Sequence, residues 1–188
     1  MIPRRSFVLG LLAALAAPSI ASAGKADKAF VINPIYLPQT VAYRSAYAPG
    51  TVVIDPRNRF LYLVESGDTA RRYGVGVGKA GLAWSGVAVV SRKARWPSWK
   101  PTANMIAREP AKYAKYAAGM PGGARNPLGS RALYLYRNGM DTYYRIHGTI
   151  EPWTIGQAVS NGCIRMVNAH VADLYERVPV GATVVVLS

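Results

Sequence analysis

From residue 51 onward, short apolar runs alternate with turn-forming residues at the spacing of strands. Residues 51–55 (Thr51-Val52-Val53-Ile54-Asp55) and 60–64 (Phe60-Leu61-Tyr62-Leu63-Val64) flank a Pro56-Arg57-Asn58-Arg59 turn and predict a hairpin. A third strand pattern covers 72–77. Over 86–93, Val87, Val89 and Ser91 fall on one face of a strand, and Ala88, Val90 and Arg92 on the other. Residues 133–136 and 142–147 predict strands around an Asn138-Gly139 turn, and 183–187 a closing strand after Gly181. One stretch reads clearly at helical period: from 168 to about 177, Val171, Leu174, Tyr175 and Val178 form a stripe, and Asn168 is placed to cap it.

Residues 95–130 hold no period and are broken by Pro97, Pro101, Pro110, Pro121 and Pro127. A short helix over 110–118 fits, with Tyr113 and Tyr116 three apart. A long irregular stretch in a compact domain predicts a lid or binding loop. Residues 24–50, punctuated by Pro34, Pro38 and Pro49, read as an N-terminal extension lying partly on the domain. The pattern holds no internal repeat and no second domain.

Composition narrows the class. The chain has 188 residues, 51% hydrophobic and 17% charged, which allows one ordinary domain with a sizeable core and excludes disorder as the default. Thirteen prolines and eighteen glycines disfavour a helical bundle. One cysteine rules out an intramolecular disulfide, and two histidines all but exclude a histidine-rich metal site.

The first residues read as an address. Arg4-Arg5 precedes an apolar run from Val8 to Ala17 and a small-residue site at Ala21-Ser22-Ala23, the three parts of an export signal. Arg4-Arg5-Ser6-Phe7 resembles the twin-arginine type. Residues 1–23 are therefore expected to be a signal peptide, 24–50 an extension and 51–188 the working domain, in the periplasm or cell envelope.

The formal net charge is +14, which implies an anionic neighbour: nucleic acid, a membrane surface or an acidic cell-wall polymer. Trp96, Trp99, Tyr113 and Tyr116 interleave with Arg95, Lys100, Arg108, Lys112 and Lys115, as a nucleic-acid platform would. Export favours a carbohydrate–peptide polymer, so no nucleic-acid partner is expected. The run Gly74-Val75-Gly76-Val77-Gly78-Lys79-Ala80-Gly81 looks superficially like a phosphate loop but lacks the Gly-Lys-Ser/Thr ending.

The segment with most chemistry is Ser160-Asn161-Gly162-Cys163-Ile164-Arg165-Met166. If extended, it sends Ile164 and Met166 inward and sets Cys163 and Arg165 on the opposite face. Gly162 allows close backbone approach, and the N–H groups of Gly162 and Cys163 could meet an oxyanion. A guanidinium beside a thiol favours the thiolate and can hold a substrate carboxylate. Upstream, a strand ends in Ile146-His147-Gly148-Thr149, with Ile146 inward and His147 outward. An imidazole is the natural base for a thiol, and a backbone carbonyl near Gly148 could orient it. His170 reads as a surface or satisfied helix residue.

These two motifs resemble the signature of the L,D-transpeptidase (YkuD-type) catalytic domain family: a His-Gly pair, a short spacer, then Ser-X-Gly-Cys-X-Arg. The resemblance extends over roughly 50–188. It includes Asn126-Pro127-Leu128-Gly129, and Asn161 stands where many members carry His. It implies a mostly β sandwich with a short helix near the C-terminus and an irregular lid. It also implies Cys163 as nucleophile, His147 as base, the Gly148 carbonyl as orienter, and Arg165, Gly162, Ser160 and Asn161 around substrate and oxyanion. The implied reaction cross-links peptidoglycan stem peptides without metal or cofactor, the acceptor being another stem or an envelope protein. Two alternatives stay open: an L,D-carboxypeptidase or endopeptidase on the same scaffold, and a non-catalytic wall-binding module.

Overall fold

The computed structural model describes residues 30–188, so the export-signal reading of 1–23 lies outside the described residues. The chain opens with a 3-10 turn at Pro34–Tyr36 and an edge strand, β1 (Gln39–Ala42). Then follow β2 (Val52–Asp55), β3 (Phe60–Val64), β4 (Thr69–Gly74), β5 (Val77–Gly78) and β6 (Gly86–Arg95). A helical excursion, α1 (Ala103–Arg108) and α2 (Pro110–Tyr113), precedes β7 (Arg131–Arg137) and β8 (Met140–His147). The chain closes with β9 (Ala158–Ser160), β10 (Ile164–Arg165), α3 (Asn168–Arg177) and β11 (Thr183–Val186).

Among the described residues, nine strands form one sheet in the order β1-β4-β3-β2-β11-β6-β7-β8-β10, and β5 pairs with β9 in a second, two-stranded sheet. The fold is mostly β, as the alternation predicts. β6 is the corner. Its first residues, Gly86 to Val89, pair with β11, and its later ones, Val89 to Arg95, pair with β7. The register shifts between Val90 and Arg92, a bulge of the kind that bends a strand. The two halves of the sheet thus face each other over one core. Val52, Ile54, Leu61 and Tyr73 come from one half, and Leu133, Leu135, Ile146 and Ile164 from the other. Within β6, Ala88 and Val90 are buried, while Val87 and Val89 are exposed.

The third predicted strand begins earlier than 72 and stops at Gly74, because β4 pairs with both β3 and β1 only over Thr69–Gly74. After it the chain leaves the sheet to pair with residues that follow His147. Residues 30–50 add β1 to the sheet edge and seat Tyr36 against the backbone of Gly74 and Gly156. The helix expected over 110–118 is shorter, α2 passing into a 3-10 turn at Ala114–Tyr116. Helix α1, not predicted, is capped by the Thr102 hydroxyl, which accepts from the Met105 N–H at 3.2 Å.

Helix α3 packs its stripe of Val171 and Leu174 into the core. Its expected cap is corrected: Val167 precedes the helix, and no side chain caps it. Asn168 is engaged elsewhere. Its Oδ1 accepts from the Ser130 N–H at 3.0 Å, and its Nδ2 donates to the Thr149 carbonyl at 3.1 Å. His170 is corrected too: it is buried, and its Nδ1 has no hydrogen-bond partner among the described residues.

Candidate active site

Parallel pairing of β10 with β8 builds the site. Ile164 lies beside Ile146 and Arg165 beside His147. Both isoleucines point into the core, so Arg165 and His147 share the opposite face. Cys163, one residue before β10, falls on that face as well, diagonal to His147. This placement rests on a Met166 N–H bonded to the His147 carbonyl at 2.8 Å. The glycine-rich run holds the other flank: Gly76 exchanges backbone bonds of 2.9 and 2.8 Å with Arg165, and the Lys79 N–H donates to the Ser160 carbonyl at 3.1 Å. Those N–H groups are spent on the sheet, so the run is a neighbour strand and cannot cradle a phosphate.

His147 is buried rather than outward to solvent, at 4% exposure. Its Nδ1 lies 2.5 Å from the Gly148 carbonyl. A carbonyl only accepts, so Nδ1 carries the proton and Nε2 is left as the basic nitrogen. Burial pulls the imidazole pKa down to about 4; the Gly148 bond opposes this, and the charges of Arg165 and Arg145 reinforce it. Close approach at Gly148 is forced by Asn168, whose Oδ1 would lie 2.1 Å from any Cβ there.

Cys163 is half-buried. Burial pushes its thiol above the ordinary value, against the pull of the Arg145 backbone and guanidinium and of Arg165. The guanidiniums of Arg145 and Arg165 thus favour the thiolate, as expected of a cation beside a thiol, but burial opposes them more strongly.

The Ser160 hydroxyl donates to the Cys163 carbonyl at 2.6 Å and accepts from the Gly162 N–H at 3.1 Å. It ties a tight turn around Gly162, whose φ is +118°. This corrects the oxyanion reading of Gly162, since its N–H is already used. The Cys163 N–H has no hydrogen-bond partner among the described residues. Asn161 turns to the lid: its Nδ2 donates to the Tyr113 hydroxyl at 3.0 Å, and its Oδ1 accepts from Arg108 at 3.4 Å. Arg165 is clamped by Glu151 at 2.8 Å and reaches Thr154 Oγ1 at 3.5 Å. Glu151 thus fixes the arginine rather than the histidine.

Two cavities meet at Cys163. One, of about 320 Å³, is lined by His147 and Arg165, by Trp99, Tyr113 and Tyr116, and by the cations Lys112, Lys115 and Arg125. The other, of about 550 Å³, is lined by Leu82, Thr102, Arg108, Tyr143 and Tyr144. Met105, Asn161 and Cys163 line both. The sequence reading passed over Arg145 and Asp141. Arg145 carried a usable signal, since it stands two residues before His147 in a strand and so shares its face.

A curled, mostly β sheet that presents a cysteine and a histidine from two parallel strands beneath a helical lid defines a recognisable class. The chain belongs to the L,D-transpeptidase catalytic domain (YkuD) family, whose model matches residues 49–186. The relative named Probable L,D-transpeptidase YbiS, of Escherichia coli (strain K12), is 34% identical over 152 residues, 79% of this chain and 47% of the relative. Probable L,D-transpeptidase ErfK/SrfK of Salmonella typhimurium is 36% identical over 160 residues, 82% of this chain and 49% of the relative. The chain spans about half the length of these curated relatives.

Among solved structures, a Brucella melitensis protein named Probable carnitine operon oxidoreductase caia is 58% identical, with a TM-score of 0.57 over 83% of this chain and 96% of that one. The L,D-transpeptidase from Mycobacterium smegmatis shares the fold at 18% identity, with a TM-score of 0.54 over 73% of this chain and 58% of that one.

Proposed function

We propose that this chain is a peptidoglycan L,D-transpeptidase with Cys163 as nucleophile. The observation that carries the reading is a thiol and an imidazole on one face of the β8–β10 pair, the ring held by the Gly148 carbonyl, at the meeting point of two cavities. His147 Nε2 takes the Cys163 proton as the sulfur attacks the carbonyl of the third, L-centred residue of a tetrapeptide stem. The proton then passes to the departing D-Ala amine, leaving a thioester. An acceptor amine enters, His147 removes its proton, and a new amide forms. The Gly148 carbonyl holds the ring in the tautomer that this requires, and the Cys163 N–H, unpaired among the described residues, serves as the oxyanion donor. Arg165, braced by Glu151, and the lid cations give the cavity a positive wall for the stem's carboxylates.

Two cavities that share the nucleophile give donor and acceptor separate approaches, which favours transfer to an amine over hydrolysis. Acceptors are a second stem or the end of an envelope protein. Residues 1–23 act as an export signal, residues 24–50 precede the catalytic domain at 51–188, and the basic mature chain works against the anionic envelope. Mass spectrometry of purified stem peptides incubated with the protein tests the reading. The expected products are free D-Ala and a cross-linked dimer, absent with Cys163→Ala. Product formation by Cys163→Ala would overturn the mechanism, and tripeptide without dimer would make the chain a carboxypeptidase.

A further inference from the structure

Across the sheet from Cys163 runs a row of side chains that the mechanism above does not use. Arg92 on β6 pairs with Tyr134 on β7, and Tyr134 pairs with Arg145 on β8. The two guanidiniums sandwich the ring: Arg92 lies 3.4 Å and Arg145 4.4 Å from its centroid. Asp141 grips Arg145 through two parallel bonds of 2.6 and 2.7 Å, and the arginine also donates to the Tyr144 carbonyl at 2.9 Å. With only 13% of its side chain exposed, Arg145 is a fixed, largely dehydrated cation. The register that sets Ile164 beside Ile146 places Cys163, one residue earlier, beside Arg145 on the same face.

We propose that Arg145, locked by Tyr134 and Asp141, is the electrostatic partner of the Cys163 sulfur and stabilises the anion that forms when the thiol gives up its proton. The inference rests on Cys163 being the nucleophile. Arg165, the cation suggested by the sequence motif, pairs with Glu151 and stands beside His147, so its pull on the sulfur comes second to that of Arg145. Asp141 sets the size of the effect, because its charge opposes that of Arg145 at the sulfur. The other charged and titratable groups near Cys163 are His147, Tyr143 and Tyr144 on β8, Glu151 in the loop after β8, Arg165 on β10, and Arg108 and Tyr113 of the lid. Lys112, Lys115 and Arg125 line the cavity further out. None of these changes in the variants below.

The chain holds one cysteine, so alkylation by iodoacetamide followed by mass spectrometry reads Cys163 alone. Rates are measured from pH 6 to the onset of alkaline unfolding for wild type, Arg145→Met, Arg145→Lys and Asp141→Asn, with thermal melts to confirm folding. Removing an opposite charge at this range raises a thiol's midpoint by about one unit. The more basic thiolate is intrinsically more reactive, so the rate at pH 7.5 falls only about three- to fourfold in Arg145→Met.

Arg145→Lys should stay near wild type, and Asp141→Asn should move the midpoint downward. Opposite signs for Arg145→Met and Asp141→Asn support the proposal, because loosened packing would move both the same way. A profile of Arg145→Met that overlays wild type, or equal signs in the two variants, overturns it. If Arg145→Met does not fold, Asp141→Asn against Arg145→Lys carries the same test, and an unmoved or raised midpoint in Asp141→Asn overturns it. A wild-type thiol inert at every pH removes the nucleophile reading itself, which distinguishes that failure from a failure of Arg145 alone.

Discussion

Acid should weaken this fold through His147 in a way that one substitution isolates. The imidazole is buried, with its pKa pulled down to about 4 from an ordinary 6.5, chiefly by burial. As pH falls below about 6.5 the unfolded chain takes up this proton while the folded chain refuses it. The contribution is thus complete above the unfolded pKa and disappears as pH falls toward the folded one. For a 2.5-unit difference the linkage relation gives about 2 kcal/mol lost by pH 5 and about 3 kcal/mol by pH 4. His170, also depressed by burial, and the acid-sensitive Asp173 pull in the same direction, so the wild-type slope alone is not diagnostic.

His147→Gln removes the titration and keeps an N–H that can donate to the Gly148 carbonyl. Urea unfolding of both proteins at pH 7.5 and 5 should show wild type losing about 2 kcal/mol more than the variant. Equal losses would mean that the site admits water and that His147 titrates normally. The base that works at neutral pH would then no longer be the dehydrated imidazole described above. Consistent with a low pKa, the acidic limb of kcat/KM should fall between about pH 4 and 5, well below the ordinary histidine range.

Two further substitutions test how the scaffold holds the site. Asn168→Ala strips the partners from the Ser130 N–H and the Thr149 carbonyl, so it should cost about 2–4 kcal/mol in a urea melt and slow Cys163 alkylation; an unchanged melt would show that the bridge is incidental. Gly162→Ala forces a Cβ onto a backbone with φ of +118° and to within 2.5 Å of Tyr144 Cε1, so it should cost at least about 2 kcal/mol and abolish turnover, whereas near-normal turnover would show that the nucleophile turn is plastic.

Much of this protein was legible locally. The β2–β3 hairpin, the β7–β8 hairpin and α3 follow from periodicity and turn residues, because those signals come from neighbours in sequence. The alternation of Cys163, Ile164, Arg165 and Met166 likewise fixed which residues share a face, and the family signature was complete in the sequence. Helix α1 left a trace in Thr102, lost among the prolines around it.

What pairs across the chain was not legible. Strand alternation says that Cys163 and Arg165 share a face, but only the parallel register of β10 on β8 brings His147 and Arg145 to that same face. Asn168 looked like a cap because a cap is its local use, and tertiary contact gave it to Ser130 and Thr149 instead. Arg165 looked like the thiol's nearest cation, but the register sets it beside His147 and leaves Arg145 beside Cys163. The composition and motifs determined a β-rich domain with a histidine, the single cysteine and an arginine in the right order. The tertiary structure decided which charges survive near the sulfur and how far burial opposes them. Desolvation and register are properties of the packed sheet, and no stretch of sequence encodes either by itself.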